Sequence, residues 1–201
     1  MRRTKEQAAE TARQIRRAAE ELFLDRGYDN VSLEQVAIAA GVTRGAVHWH
    51  FKNKQGLLLA LQEDAQIPFQ NLADRLSDRA DPAALSVLGE LISELFARFE
   101  AEPRQKGVIR VLQRLDINLT DQGAGGGSTF REDTIVIFRR IFQAVDKGAG
   151  LPTPWTADVA ASTLCATISG LIEEWALGKT DFRLAPDGQN LVRTLLKAWK
   201  L

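Results

Sequence analysis

Apolar residues recur every three or four positions along almost the whole chain, whereas strict alternation of apolar and polar residues is scarce. A period near 3.6 places such residues on one face of an α-helix, and a period of two would indicate a strand. The stripe of Ile15, Ala19, Leu22 and Phe23 is an example, and it stops at Gly27, a residue that tolerates the left-handed conformation found after helix ends. The chain is therefore predicted to be all-α.

Capping residues and prolines predict where these helices begin and end. Ser32 has the spacing of a capping box, and Thr43 and Asn53 can cap the two helices that follow. Longer helices are predicted over residues 54–66, 82–102, 104–119, 130–145, 157–177 and 187–200. Pro68 is expected to end the first of these, and the glycine-rich residues 123–128 are expected to form a loop. The total is about nine helices.

The helices fall into two groups, and the charges divide in the same way. Three short helices predict a small domain over residues 1–55, followed by a larger helical domain over residues 56–201. The formal net charge is zero, which excludes a protein that is basic throughout. Residues 1–56 nevertheless carry 10 Lys plus Arg against 7 Asp plus Glu, while residues 57–201 carry 16 against 19.

Several classes of protein are excluded by the residues that are missing. His48 and His50 are the only histidines, so a catalytic triad or a multi-histidine metal site would have to use this one place. No motif for a cofactor and no recognisable carboxylate pair is present, and we expect no enzyme, no metal site and no cofactor. A helical enzyme of small molecules remains a remote alternative.

The single cysteine and the absence of long apolar segments predict the compartment. Cys165 has no partner for an intramolecular disulfide, and the N-terminus lacks the apolar stretch of a secretory signal. No apolar run approaches the roughly 18 to 20 residues that span a bilayer. A cytoplasmic protein without a membrane partner is therefore expected.

Residues 33–52 satisfy the steric requirements of a helix-turn-helix. Ala37 is small where two helices must cross closely, Gly41 can adopt the turn conformation, and Val47 points back into the joint. Polar residues then occupy the first turns of the second helix, where a recognition helix meets the major groove. A tight helical corner with solvated cations is the alternative, although it does not explain why the cations cluster there.

The chemistry of these residues suits DNA. Thr43 can donate to a phosphate, Arg44 can bind guanine or phosphate, and Gly45 lets the backbone approach closely, while Lys52 and Lys54 can anchor phosphates. His48 is a candidate for phosphate contact or for simple exposure, and His50 for DNA contact or for packing against its neighbours. The candidate DNA-binding residues are Ser32, Thr43, Arg44, Gly45, His48, Trp49, His50, Lys52 and Lys54.

The run GVTRGAVHWHFKNK at residues 41–54, with residues 2–6 and 10–11 upstream, closely resembles the tetracycline-repressor (TetR) family. Within that family it most resembles the branch that represses multidrug efflux pumps. Residues 168–175 and 181–184 resemble the dimerisation region of the same branch more weakly.

The resemblance implies an all-helical homodimer that binds double-stranded operator DNA and a small-molecule inducer. Its last two helices would pair with those of a second copy in a four-helix interface. Thr43, Arg44 and Gly45 would contact DNA, and Lys54 would hold a phosphate. The match departs at His48, where the family usually has tyrosine, although imidazole can still donate to a phosphate.

The resemblance also implies a pocket for an apolar or amphipathic ligand in the second domain. Aromatic stripes are more often core, but aromatic walls with a few polar groups are also what such a pocket needs. The candidate pocket residues are Gln62, Gln66, Phe96, Leu112, Asp116, Phe138 and Trp175. Asp116 borders an apolar stripe, where it could pair with a cationic ligand or lie exposed at the stripe's edge.

The last two helices carry wide apolar stripes that could face both their own core and a partner. The candidate dimer residues are Leu164, Ile168, Leu171, Trp175, Leu191, Leu195 and Trp199. Together with these stripes, the resemblance implies a dimeric repressor that a ligand releases from a palindromic operator of an efflux operon. Control of a metabolic or lipid operon is the alternative within the same class.

Overall fold

The computed structural model describes residues 5–78, 81–112 and 130–200. These residues form ten α-helices and no strand, which confirms the predicted all-α fold class. The helices are α1 (Lys5–Arg26), α2 (Leu33–Ala39), α3 (Arg44–Phe51), α4 (Lys54–Asp64), α5 (Ile67–Asp78), α6 (Ala84–Ala101), α7 (residues 105–112), α8 (Phe130–Gly148), α9 (Ala157–Leu177) and α10 (Gln189–Ala198).

The three helices that follow α1 each begin at a side-chain cap. Ser32 Oγ accepts from the backbone N–H of Gln35 at 3.2 Å, while Gln35 Oε1 accepts from the backbone N–H of Ser32 at 2.8 Å. Thr43 caps α3 with a bond of 3.1 Å, and Asn53 caps α4 with one of 2.7 Å. The predicted capping box and both predicted caps are confirmed, because each side chain satisfies an N–H that the first helical turn leaves unpaired.

The N-terminal core is a cluster of aliphatic side chains around Phe23. Its buried members are Ile15, Ala19, Phe23, Val31, Val36, Ala37, Val47, Leu57, Leu58 and Val111. Leu57 and Leu58 belong to α4, and Val111 belongs to α7. A boundary at residue 55 therefore cuts through a continuous hydrophobic core, because α4 and part of α7 complete the domain that α1–α3 begin.

The larger domain is built around buried aromatic rings. Phe96 of α6 and Phe142 of α8 have no exposed surface, and neither does Trp199, which follows α10. The Trp199 ring meets Phe142 edge-on with centroids 5.0 Å apart, and meets Trp155 in the same way at 5.2 Å. Edge-to-face pairs at this spacing add to the free energy gained from burying large rings.

The prediction that Pro68 ends a helix was wrong. Helix α4 ends at Asp64, and Pro68 lies in the first turn of α5, a helix that the sequence interpretation missed. Proline is tolerated in a first turn because the missing N–H has no helical acceptor there. The amphipathic α5 contributes Phe69, Leu72 and Leu76 to the core of the larger domain.

The remaining helices follow the predictions with small differences. Helix α9 has the predicted bounds, α8 continues three residues past residue 145, and α10 starts at Gln189 after a π-type turn over Leu184–Gly188. Of the helix predicted over residues 104–119, residues 105–112 are helical. The rest of that segment, with Asp116 and the predicted glycine-rich loop, lies outside the described residues.

Candidate nucleic-acid interface

The turn between α2 and α3 holds the two helices at a fixed angle. Gly41 has φ +66°, a conformation that side chains rarely adopt, and the backbone N–H of Val42 donates to the carbonyl of Ala37 at 2.9 Å. Ala37 is 3% exposed and Val47 is fully buried. The three steric positions predicted for a helix-turn-helix are therefore used as the sequence indicated.

The side of α3 that faces away from the core is open to solvent. Arg44, Gly45, His48 and Trp49 are all exposed there, and 73% of Trp49 is accessible. Lys52 ends the helix with φ +60°, and its N–H donates to the carbonyl of His48 at 2.8 Å. Five of the predicted DNA-binding residues thus lie on one continuous surface at the end of the small domain.

Arg44 is held only loosely by the protein itself. Its guanidinium lies 3.9 Å from a carboxylate oxygen of Glu34 on α2, and both side chains are mostly exposed, at 73% and 66%. Exposed ion pairs of this kind contribute roughly 0 to 1 kcal/mol. A phosphate or a guanine edge can therefore replace Glu34 as the partner of Arg44 at little cost.

The assignment of Lys54 to a phosphate is corrected by its contacts. Its ammonium donates to the carbonyls of Tyr28 at 2.9 Å and Val31 at 3.0 Å, with a longer contact to that of Asp29 at 3.4 Å. The same nitrogen lies 4.3 Å from the centroid of the Tyr28 ring. An ammonium has three donors, so Lys54 joins α4 to the turn after α1 and has none left for DNA.

Two other candidates have mainly internal roles. The Ser32 oxygen is the acceptor of the α2 cap, although the residue is exposed. His50 is half-buried, and its ring lies edge-on to Trp49 with centroids 4.6 Å apart and tilted against Phe51 at 5.9 Å. These contacts favour the packing interpretation of His50.

Tyr28 is half-buried near the N-terminal end of α4. Burial raises the pKa of the Tyr28 phenol, and the adjacent Asp29 carboxylate raises it further. The ring is tilted against Phe23 with centroids 5.2 Å apart. Tyr28 therefore stays neutral and serves as the platform on which the Lys54 ammonium rests.

Of the residues predicted to bind a ligand, three belong to the hydrophobic core. Phe96, Phe138 and Trp175 are at most 2% exposed, and they pack among other core side chains. Leu112 packs against the N-terminal cluster. Their burial favours the core interpretation of these aromatic residues, and their role in a ligand pocket stays a prediction.

The two glutamines differ from each other. Gln66 Nε2 donates to Thr134 Oγ1 at 2.6 Å and to the carbonyl of Phe130 at 3.0 Å, so it joins the end of α4 to α8. Gln62 Oε1 is buried and has no hydrogen-bond partner among the described residues. Burying an amide oxygen without a hydrogen-bond donor costs free energy.

A groove of about 430 Å³ lies between α6 and α10. Its floor includes Leu85, Gly89 and Leu196, and its rims carry charges of both signs, such as Glu90 and Lys197. None of the predicted pocket residues lines this groove, so it is separate from the expected ligand site.

The dimer residues taken from the sequence divide into buried and accessible groups. Leu164 and Trp199 have no exposed surface, Trp175 has 2% and Ile168 has 9%, so these four pack inside their own chain. Their assignment to a partner is corrected, because an apolar stripe alone does not reveal which side faces the core. Leu171 and Leu195 are half-buried, and Leu191 is 46% exposed.

The accessible side of α9 carries residues that are not among the candidate dimer residues given above. They form one helical stripe, called the α9 stripe below: Val159, Ser162, Ala166, Gly170, Glu173 and Leu177. Val159 is 50% exposed and Leu177 is 41% exposed. A Cβ at Gly170 would meet nothing within 4 Å. Small residues recurring at every third or fourth position were the available signal.

Helix α7 touches both domains. Val108 and Leu112 pack on the N-terminal cluster with Val111, and the Lys106 ammonium lies 4.8 Å from the centroid of the Trp175 ring. Just before α7, Arg104 pairs with Glu102 at 2.7 Å and also with Asp25 of α1. Helix α7 and the turn before it therefore contact Trp175 in the larger domain as well as α1 and the core of the small domain.

Among the described residues, no helix is both long and apolar enough to cross a bilayer. Within the same ranges, no group of three or more histidine, cysteine or acidic residues is placed to hold a metal ion.

Comparison with known proteins agrees with this geometry. Residues 15–61 match the family model of bacterial regulatory proteins, tetR family. The transcriptional repressor BepR of Brucella suis biovar 1 is 30% identical over 200 residues, which cover 98% of this chain and 96% of BepR. The transcriptional regulator TtgR of Pseudomonas putida is 32% identical over 208 residues, covering 100% of this chain and 97% of TtgR.

The fold is also found in a solved repressor. SmeT, the repressor of the Stenotrophomonas maltophilia multidrug efflux pump SmeDEF, superposes with a TM-score of 0.71 at 25% identity, covering 94% of this chain and 90% of SmeT. The complex of SmeT with triclosan gives a TM-score of 0.70 at 24% identity, covering 96% and 92%.

Proposed function

Because the chain belongs to the TetR family of bacterial transcriptional regulators, we propose that it represses a multidrug efflux operon by binding an inverted repeat as a dimer. Regulators of this family are typically DNA-binding proteins without enzymatic activity. The observation that carries the proposal is the exposed N-terminal half of α3, with Thr43, Arg44 and Gly45 on a rigid helix-turn-helix. The DNA partner implies that the protein acts in the cytoplasm.

Recognition would begin at the first turn of α3. Gly45 adds no side chain there, and a Cβ at that position would have only Thr43 Oγ1 nearby, at 3.8 Å, so the backbone can approach the groove. Arg44 would leave Glu34 for a guanine edge or a phosphate, and the exposed Lys52 would add a second phosphate contact. A few placed cations, and not bulk charge, would carry the electrostatic part of binding.

The dimer would form through the α9 stripe together with Leu191 of α10. Small residues in the middle of the stripe allow two helices to approach closely, and the exposed apolar residues at both ends gain from burial. A two-fold axis would then pair each stripe with its copy. Such a dimer would present two α3 helices to successive major grooves, about 34 to 36 Å apart.

Induction would act through α4 and α7, because α7 contacts Trp175 in the larger domain and the core of the small domain. A ligand that donates to Gln62 Oε1 contacts α4 directly, and α4 carries Leu57 and Leu58 into the core of the DNA-binding domain. The pair between Arg16 and Asp64, at 3.3 Å, links the same helix to α1. Moving α4 would therefore tilt α3 away from the spacing that DNA requires. By linkage, DNA must weaken ligand binding by the same factor.

The experiment starts from a duplex selected by the full-length protein from a random library. The affinity for that duplex should fall steeply as salt rises, and Arg44→Ala should weaken binding by roughly 5- to 150-fold and relax the preference at one position of each half-site. Arg98→Ala, which removes an exposed cation from α6, is the matched control and should leave affinity unchanged. Salt-independent binding, or none, would contradict the proposal.

The ligand step is tested with triclosan as the probe, since the related SmeT forms a complex with it. Triclosan should weaken DNA binding by the wild-type protein. Gln62→Leu should reduce that effect while leaving affinity without triclosan unchanged, and Gln70→Leu on α5 should behave as the wild type. Equal release of Gln62→Leu and the wild type would remove Gln62 from the mechanism.

A further inference from the structure

The centre of the exposed face of α3 is occupied by one large apolar side chain. At 100° per residue, Gly45 and Trp49 point opposite to Val47 and Phe51, which face the core. Trp49 is 73% exposed, whereas Val47 is fully buried. The indole ring therefore projects from the middle of the surface that the proposed function places in the major groove.

The surroundings of Trp49 leave the ring open on its outer side. Gly45, one turn earlier, has no side chain, and the space beside it holds only Thr43 Oγ1 within 4 Å of an added Cβ. His50 meets the ring edge-on at 4.6 Å and helps to orient it. An indole ring held in water loses the free energy that burial would give it, so its position favours a partner that covers it.

We propose that Trp49 recognises a thymine in each operator half-site by packing its ring against the C5 methyl group. The inference rests on the proposed function and is continuous with the surface of Thr43 and Arg44. The thymine methyl is the apolar group that base pairs display in the major groove. Arg44 and Trp49 are separated by about 7.5 Å of helical rise, so the thymine lies within roughly two base pairs of the Arg44 contact.

The test removes the methyl group from the DNA and the ring from the protein, separately and together. Each thymine of the selected duplex is replaced in turn by deoxyuridine, which lacks only the C5 methyl. For the wild-type protein, the replacement at one position of a half-site should weaken binding about fourfold, the factor expected for burying one methyl group. Replacement in both half-sites should weaken binding about 16-fold, since distant effects multiply.

Variants of Trp49 then identify the side chain responsible. Trp49→Ala should bind the thymine and deoxyuridine duplexes equally at that position, while any other sensitive position keeps its effect. Trp49→Phe keeps an apolar ring without the indole N–H and should retain the sensitivity. Ile67→Ala, which shortens a side chain that is 52% exposed outside the small domain, should behave as the wild type. Circular dichroism should show unchanged helix content in each variant.

The alternative roles of Trp49 give different results. If the indole N–H donates to a phosphate, Trp49→Ala and Trp49→Phe weaken all duplexes alike and no deoxyuridine effect depends on Trp49, which overturns the inference. A selected duplex without thymine in the half-sites, or deoxyuridine effects that persist in Trp49→Ala at every sensitive position, also overturn it. In each of these cases the wild type still binds DNA, whereas failure of the proposed function itself would abolish binding to every duplex.

Discussion

The two domains of this chain differ in how most of their helices begin. In the small domain, α2, α3 and α4 each begin at a side chain that caps the helix. In the larger domain, α6 and α10 begin without a side-chain cap, and buried rings such as Phe96 and Trp199 hold them. Both domains have a buried core, and α9 of the larger domain also has a cap at Thr156, so the contrast lies in how α6 and α10 begin compared with α2, α3 and α4.

The largest effect should come from removing one of these rings. Phe96→Ala should lower the free energy of unfolding by about 3 to 5 kcal/mol, because a fully buried ring leaves a cavity that neighbours fill only partly. Urea denaturation followed by circular dichroism measures the change. Ile67→Ala, at a side chain that is 52% exposed, is the control and should cost far less. Equal losses would mean that ring packing does not dominate this domain.

Substitution of the two lysines that flank Asn53 should give a smaller loss of stability at one of them and a loss of DNA binding at the other. Lys54→Met keeps the length of the side chain but loses its bonds to the carbonyls of Tyr28 and Val31, and should destabilise the protein by roughly 1 to 3 kcal/mol. Lys52→Met, at an exposed position, should weaken DNA binding and leave the urea midpoint unchanged. The opposite pattern would restore Lys54 to the phosphate contacts.

Removing a helix cap should lower the free energy of unfolding by a smaller amount. Its effect on DNA binding should differ between the two domains. Ser32→Ala and Thr156→Ala each lose a side-chain acceptor at a helix start, and each should cost about 1 kcal/mol. Since α2 supports the recognition helix, Ser32→Ala should also weaken DNA binding, whereas Thr156→Ala should not. Binding isotherms on the selected duplex decide between them, and equal binding by both variants would argue against local control of α3.

The smallest effect on stability should come from the exposed ion pair that joins α5 to α8. Arg140 donates to Asp74 at 2.8 Å, and this hydrogen bond holds the pKa of the Asp74 carboxyl below its usual value. The stability that Asp74 contributes is thus present at neutral pH and is lost as pH falls through the lowered pKa. Asp74→Asn should have a slightly lower urea midpoint at pH 7, with the difference disappearing in acid. A difference that grows in acid would contradict this sign.

The same contrast explains which features the sequence could predict. The caps at Ser32 and Thr43 and the turn at Gly41 depend on neighbouring residues, so their positions were predicted correctly. The Lys54 ammonium donates to carbonyls more than twenty residues away in the chain, and no local sequence pattern reveals these bonds.

In the larger domain, the sequence could not show which face of a helix packs in the core and which face is accessible. Helix α9 has apolar residues on one side and small residues on the other, and either side could be taken for an interface from sequence alone. Only packing against the other helices shows that Leu164 and Trp175 are buried while the α9 stripe is accessible. The bounds of α9 itself were predictable, because Thr156 caps one end and Gly178, with φ +62°, terminates the other.

The central claim is that two copies of α3, fixed by a dimer, bind two half-sites one helical turn apart. It is tested most directly by measuring affinity for the selected duplex as base pairs are inserted between the half-sites. Insertion of about five base pairs turns one half-site to the opposite side of the duplex, so binding should fall to the level of a single half-site. An affinity that does not change with the spacing would contradict the account.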